Sequence, residues 1–143
     1  MIKSCSLYIR KGEIIVVSQA MTTHGFETCD QPVLRLDTNE SNITVGEAVM
    51  KALSLYRKNI PPHGPLGRKP DPILEFAGVR TWGQLERRSR CISISEESGS
   101  VTVGPTRRPP EGGYNHLDKL AIHCRAVPEE IGAAVRQAAA LCE

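Results

Sequence analysis

The chain has 143 residues, of which 40% are hydrophobic, 24% charged and only 4% aromatic. Its 18 Lys and Arg nearly balance 16 Asp and Glu, leaving a net charge of +2, so no global field draws it to nucleic acid or an anionic membrane. The length suits a single domain, residues 1–143, whose core needs neither disulfide nor metal. No apolar run approaches the roughly 18 residues of a membrane span, and the first residues, MIKSCSLYIRKGEIIVV, do not read as a secretory signal. A soluble domain that stays in the cytoplasm is the expectation.

In chain order, residues 3–10 and 13–18 are two extended runs meeting at Lys11-Gly12, the second rich in β-branched residues, which predicts an N-terminal β-hairpin. Residues 19–31 lack periodicity and read as a loop; Pro32 opens a short strand, Val33–Leu36, that the Asp37-Thr38-Asn39 cluster ends. Thr44 and Glu47 have the spacing of a capping box. Val45, Ala48, Val49, Ala52, Leu53 and Tyr56 then form one apolar helical face, with Arg57 and Lys58 near its C-terminal end. Five prolines between Asn59 and Pro72 make that stretch an irregular, stiffened loop.

Two short helical pieces follow, one at Pro72–Ala77 stopped by Gly78 and one starting from an N-cap at Thr81. Cys91–Ser95 and Val101–Val103 alternate apolar and polar residues about Glu96-Glu97-Ser98-Gly99-Ser100, the pattern of a second hairpin. Residues 104–114 are loop-like, and 118–124 read as a strand with Leu120, Ile122 and Cys124 on one side. The last element is a helix that has Pro128 in its first turn, Glu129 and Glu130 beside it, and Ile131, Ala134, Val135, Ala138, Leu141 and Cys142 as its buried stripe. The fold class is therefore α+β: a mostly antiparallel or mixed sheet of about five to six strands, packed by two main helices and short helical pieces.

Motifs of catalysis are scarce. The cysteines (5, 29, 91, 124 and 142) contain no CxxC pair and read as reduced, structural thiols. His24 near Glu27 has the types of an acid–base pair, although a loop histidine beside a glycine is more often a surface residue. His63, His116 and His123 lack metal-ligand spacing. Gly64-Pro65-Leu66-Gly67-Arg68-Lys69 distantly suggests a phosphate loop, but its prolines remove donors such a loop needs. Trp82, three residues before Leu85 on a short helix, reads as core rather than as a binding anchor.

Charge is distributed more informatively. Residues 51–110 carry eleven Lys and Arg against five Asp and Glu, whereas both flanking segments are net acidic. A small RNA-binding module using this basic segment is one reading, with solvated helix ends and loops the plainer one. The few aromatics are dispersed, not arrayed for base stacking.

Several stretches together resemble the contact-dependent growth inhibition (CDI) immunity proteins. They are Thr23-His24-Gly25-Phe26, Val45-Gly46-Glu47-Ala48-Val49 with Ala52-Leu53, Ala77-Gly78-Val79-Arg80-Thr81-Trp82, Pro105-Thr106-Arg107 and the run from Pro128 to Arg136. Val127 departs from the pattern, since a Ser-like cap would be more usual there. The resemblance implies a non-enzymatic cytoplasmic protein that neutralises the C-terminal toxin domain of a CdiA effector, plausibly a nuclease, by covering its active site or an essential surface. It implies no cofactor, metal, membrane, small-molecule substrate or direct nucleic-acid contact. The motifs themselves serve the fold, with Gly46 and Gly78 at helix starts and turns, and specificity is assigned to the loops at 19–31, 59–72 and 104–117. Arg68, Arg107, Arg108, Tyr114 and His116 are the toxin-binding candidates, because Arg and Tyr are favoured interface anchors. Either a local acidic patch meets the toxin or the basic central segment meets an acidic toxin surface.

Overall fold

The computed structural model describes residues 1–61 and 71–143. Lys3–Arg10 (β1) and Glu13–Thr22 (β2) form the first hairpin, turning on Lys11-Gly12, where Gly12 takes a φ of +76°. Residues 19–31 are not a loop. β2 runs on to Thr22, a tight turn follows, and Glu27–Asp37 (β3) returns antiparallel to it. The polar side chains hide this pairing because tertiary contacts, not alternation, define it. Gln31 and Pro32 are skipped where the register shifts between Val17–Val33 and Ser18–Asp30, a place where proline's missing N–H costs no ladder bond.

The first long helix, Asn42–Ser54 (α1), starts three residues earlier than the Thr44 capping box implies. Ser41 is its N-cap, with Oγ accepting from the Thr44 N–H at 3.1 Å, so Thr44 is already inside the helix. Arg57 and Lys58 lie beyond it, in Arg57–Ile60 (β4), a short strand pairing parallel with the far end of β2. Arg57 clamps the buried Asp30 carboxylate with two bonds of 2.6 and 2.8 Å.

Pro72–Ala77 (α2) ends at Gly78 in the left-handed conformation, φ +72°. Trp82–Arg88 (α3) starts from Thr81, whose hydroxyl accepts from Gln84 N–H. Both match the sequence expectation. Arg90–Glu97 (β5) and Ser100–Arg107 (β6) form the second hairpin, extending into the stretch read as loop. Asn115–His116 (β7) and Ile122–Arg125 (β8) both pair with the outer edge of β6. Asp118–Leu120, expected as strand, is a 3-10 turn that leaves Leu120 exposed. Pro128–Leu141 (α4) completes the fold.

Among the described residues the sheet thus has eight strands, in the order β3-β2-β1-β5-β6-β7, with β4 beside β2 and β8 beside β6. The α+β class holds. The two additional strands, β4 and β7, are too short to show a period.

Alternating side chains divide between two cores. Cys5, Leu7, Val16, Ile92, Ile94, Val101 and Val103 pack beneath α1 and α4. Tyr8, Ile15, Val17, Cys29 and Cys91 pack on the other face with Ile73, Ala77 and Leu85 of α2 and α3. Trp82 joins this second core as expected, and its indole N–H donates to Asp71 at 3.1 Å.

Gly46 is not a helix-start residue. It and Gly132 lie where α1 and α4 cross, and a Cβ there would meet the Pro128 carbonyl at 1.8 Å and the Asn42 carbonyl at 1.9 Å, respectively. Arg136 closes the same junction by donating to Asn42 Oδ1 and to the carbonyls of Thr38 and Glu40.

Candidate functional site

The C-terminal ends of α2, α3 and α4 each receive an arginine. Arg10 donates to the Ala77 carbonyl at 2.9 Å, Arg90 to Ala139 at 2.8 Å, and Arg108 to Glu86. The cause is local: the last carbonyls of a helix lack intrahelical donors and sit at the negative end of its dipole, where cations are favoured. The β1–β2 turn, the end of α3, the start of β5 and the residue after β6 meet at this end of the sheet. Between them lies a cleft of about 350 Å³, lined by Ile9, Gly12, Thr38, Ser89 and six cations, Arg10, Lys11, Arg87, Arg88, Arg90 and Arg108.

Among the described residues no carboxylate lines the cleft. Arg10 is neutralised by Glu13, which Arg35 also pairs at 2.7 Å while lying over the Phe76 ring. The other five cations have no carboxylate within ion-pair distance among the described residues. Among the described residues, Lys11, Arg87 and Arg88 make no side-chain hydrogen bond either. Arg87, Arg88 and Arg90 belong to the basic central segment of the sequence, and folding brings Lys11 to them from the acidic N-terminal third. The segment-wise charge count pointed to this region; only the topology could add the hairpin turn.

The sequence candidates separate. Arg108 lines the cleft. Arg107 and His116 are exposed along the neighbouring β6–β7 edge, where Arg107 pairs with Asn115 and Thr106 with His116. Tyr114 is partly buried, its ring edge-on to Tyr8 at 6.2 Å and its hydroxyl donating to the Ser89 carbonyl at 3.1 Å. Burial holds its phenol up at about 12. Tyr114 therefore fastens the segment after β6 onto the end of α3, beneath the cleft wall. Arg68, with the rest of the glycine- and proline-rich stretch at 62–70, lies outside the described residues.

His24 and Glu27 do not form a pair. Glu27 accepts from Ser4, and His24 sits exposed in the β2–β3 turn against Phe26. Among the described residues no group of three or more His, Cys, Asp or Glu is placed to hold a metal ion, and no helix is long and apolar enough to cross a membrane.

No protein-family model and no curated protein sequence matches the chain. Solved structures do match in fold. A protein of unknown function from Neisseria meningitidis superposes with a TM-score of 0.78 at 18% identity, covering 100% of this chain and 96% of that one. A chain of the CdiA-CT/CdiI toxin and immunity complex from Yersinia pseudotuberculosis superposes with a TM-score of 0.76 at 18% identity, covering 100% and 98%.

Proposed function

We propose that this chain is an immunity protein that binds and neutralises a toxin domain, the C-terminal domain of a CdiA-type contact-dependent growth inhibition effector, in the bacterial cytoplasm. The observation that carries the reading is the end-to-end match in fold with a chain of a toxin and immunity complex. It agrees with the independent resemblance of the sequence motifs, which occupy structural positions. Gly78 ends α2, Thr81 caps α3, and Thr106 donates to the Cys91 carbonyl at 2.6 Å. A protein of this kind acts by tight, specific contact and needs no reacting group of its own.

The test is co-expression. The C-terminal domain of the protein encoded directly upstream, the candidate toxin, is produced in a sensitive host with and without this chain, and the pair is purified. Growth arrest relieved only by co-expression, with a one-to-one complex, supports the reading. Arrest that persists, with no complex at any salt concentration, refutes it.

A further inference from the structure

We propose that the arginine cleft is where the toxin docks, and that the segment it receives is rich in carboxylates. This rests on the immunity reading above and adds to it the surface and the chemistry of the partner. Capping of helix ends accounts for Arg10, Arg90 and Arg108. Arg87 and Arg88 lie in the last turn of α3, where the dipole favours cations, yet neither makes a described side-chain hydrogen bond, and Lys11 in the β1–β2 turn belongs to no helix. Five cations around one cleft repel one another, and among the described residues none of the five has a carboxylate within ion-pair distance, although Glu86 and Glu111 share the adjoining surface with Arg87 and Arg108. Such a cluster is complementary to an external anion.

The lining favours a carboxylate-bearing protein segment over RNA. Among the described residues it contains no aromatic side chain on which a base could stack. The cations are gathered in a cleft that admits a few side chains and are not spread along a backbone-tracking stripe. Guanidinium forks match carboxylates in bidentate fashion, and the bonds from Arg90 and Arg108 to Ala139 and Glu86 hold those side chains in place before a partner arrives. Of the two modes left open by the sequence, the basic surface meeting an acidic toxin face is the one this geometry serves.

The test uses the upstream-encoded toxin domain and three variants of the full chain. Arg87→Glu with Arg88→Glu is expected to weaken toxin binding by about 100-fold and to abolish growth protection, through charge repulsion at the docking face. The neutral pair Arg87→Gln with Arg88→Gln is expected to lose about 10-fold. Neither arginine makes a described hydrogen bond, so both variants keep the fold by circular dichroism, and the neutral pair decides if the reversed pair does not. Lys58→Glu with Lys119→Glu makes the same change in net charge at exposed sites away from the cleft and is expected to stay within about twofold of the parent.

Parent chain that protects, with reversed-charge chain that binds the toxin equally well, overturns the cleft proposal and leaves the immunity reading standing. A parent that neither protects nor binds overturns both. An RNA of about 12 nucleotides captured by the parent and released by the reversed pair, with toxin binding unchanged, reassigns the cleft to nucleic acid.

Discussion

Replacing Gly46 by Ala tests the packing of the two long helices. An ideal Cβ at this position lies 1.8 Å from the Pro128 carbonyl oxygen, 2.4 Å from its carbon and 2.6 Å from its Cα, all backbone atoms that no rotamer change can move. Real Cβ contacts stay beyond 3.0 Å, so α1 and α4 must separate by about 1.2 Å at the crossing. That opens the seam over Val45, Val49, Ile131 and Val135, all almost wholly buried, where a gap of that size forfeits about half or more of the contact energy it touches. Overpacking against rigid backbone costs about 3–4 kcal/mol, and alanine's better helix propensity returns about 1. The net loss of about 2–3 kcal/mol lowers the thermal midpoint by about 10 °C.

Gly132→Ala, facing the Asn42 carbonyl at 1.9 Å, should cost as much. The double variant should cost less than both together, because helices already parted accommodate the second methyl. Gly83→Ala on α3 is the control: its Cβ meets only the ends of flexible Arg87 and Thr81 side chains, at 3.4 and 3.9 Å, and should stabilise by about 0.5–1 kcal/mol. Calorimetry and chemical denaturation read all four variants. Gly46→Ala as stable as the parent would refute the close-crossing argument.

Further predictions concern caps, thiols and phenols. Ser41→Ala should destabilise by about 1 kcal/mol by urea titration while Thr44→Ala is neutral; the reverse order would restore Thr44 as the cap. Burial raises the Cys29 and Cys91 thiols to about 12 and Cys5 higher still. A thiol reagent at mild pH should therefore modify the partly exposed Cys124 and Cys142 and reach the other three only on unfolding. Burial also raises Tyr114 to about 12 and holds Tyr8 well above the ordinary phenol value. Both phenols are neutral in folded and unfolded chains below pH of about 10, so their contribution is intact there. Above it the unfolded chain ionises first, and stability should fall as pH rises towards 12. Tyrosinate absorbance from Tyr8 should appear only with unfolding, whereas Tyr114 can begin to ionise in the folded chain as pH nears 12; Tyr8 ionising in folded protein would contradict its burial.

Sequence reading recovered what local chemistry determines. The glycine stop of α2, the Thr81 cap, the Lys11-Gly12 turn, the β5–β6 hairpin and Pro128 at the start of α4 depend on neighbours in the chain. It failed where distant partners decide. The far halves of β2 and β3 look like a polar loop until their pairing is seen. Gly46 resembles a turn glycine until α4 lies across it.

The candidate site shows the same division. Arginine enrichment near Arg87, Arg88 and Arg90 is visible in the sequence, and Arg108 is a candidate by residue type alone. Nothing local reveals that Lys11 joins them or that Tyr114 is taken up by Tyr8 and Ser89.

Hydrogen–deuterium exchange of the chain alone and in its one-to-one complex with the upstream-encoded toxin domain tests the central claim most directly. The account predicts protection on binding at the β1–β2 turn around Lys11-Gly12, at Arg87–Arg90 and at Arg108. Protection confined to the outer faces of α1 and α4, with those segments exchanging as in the free chain, would contradict it.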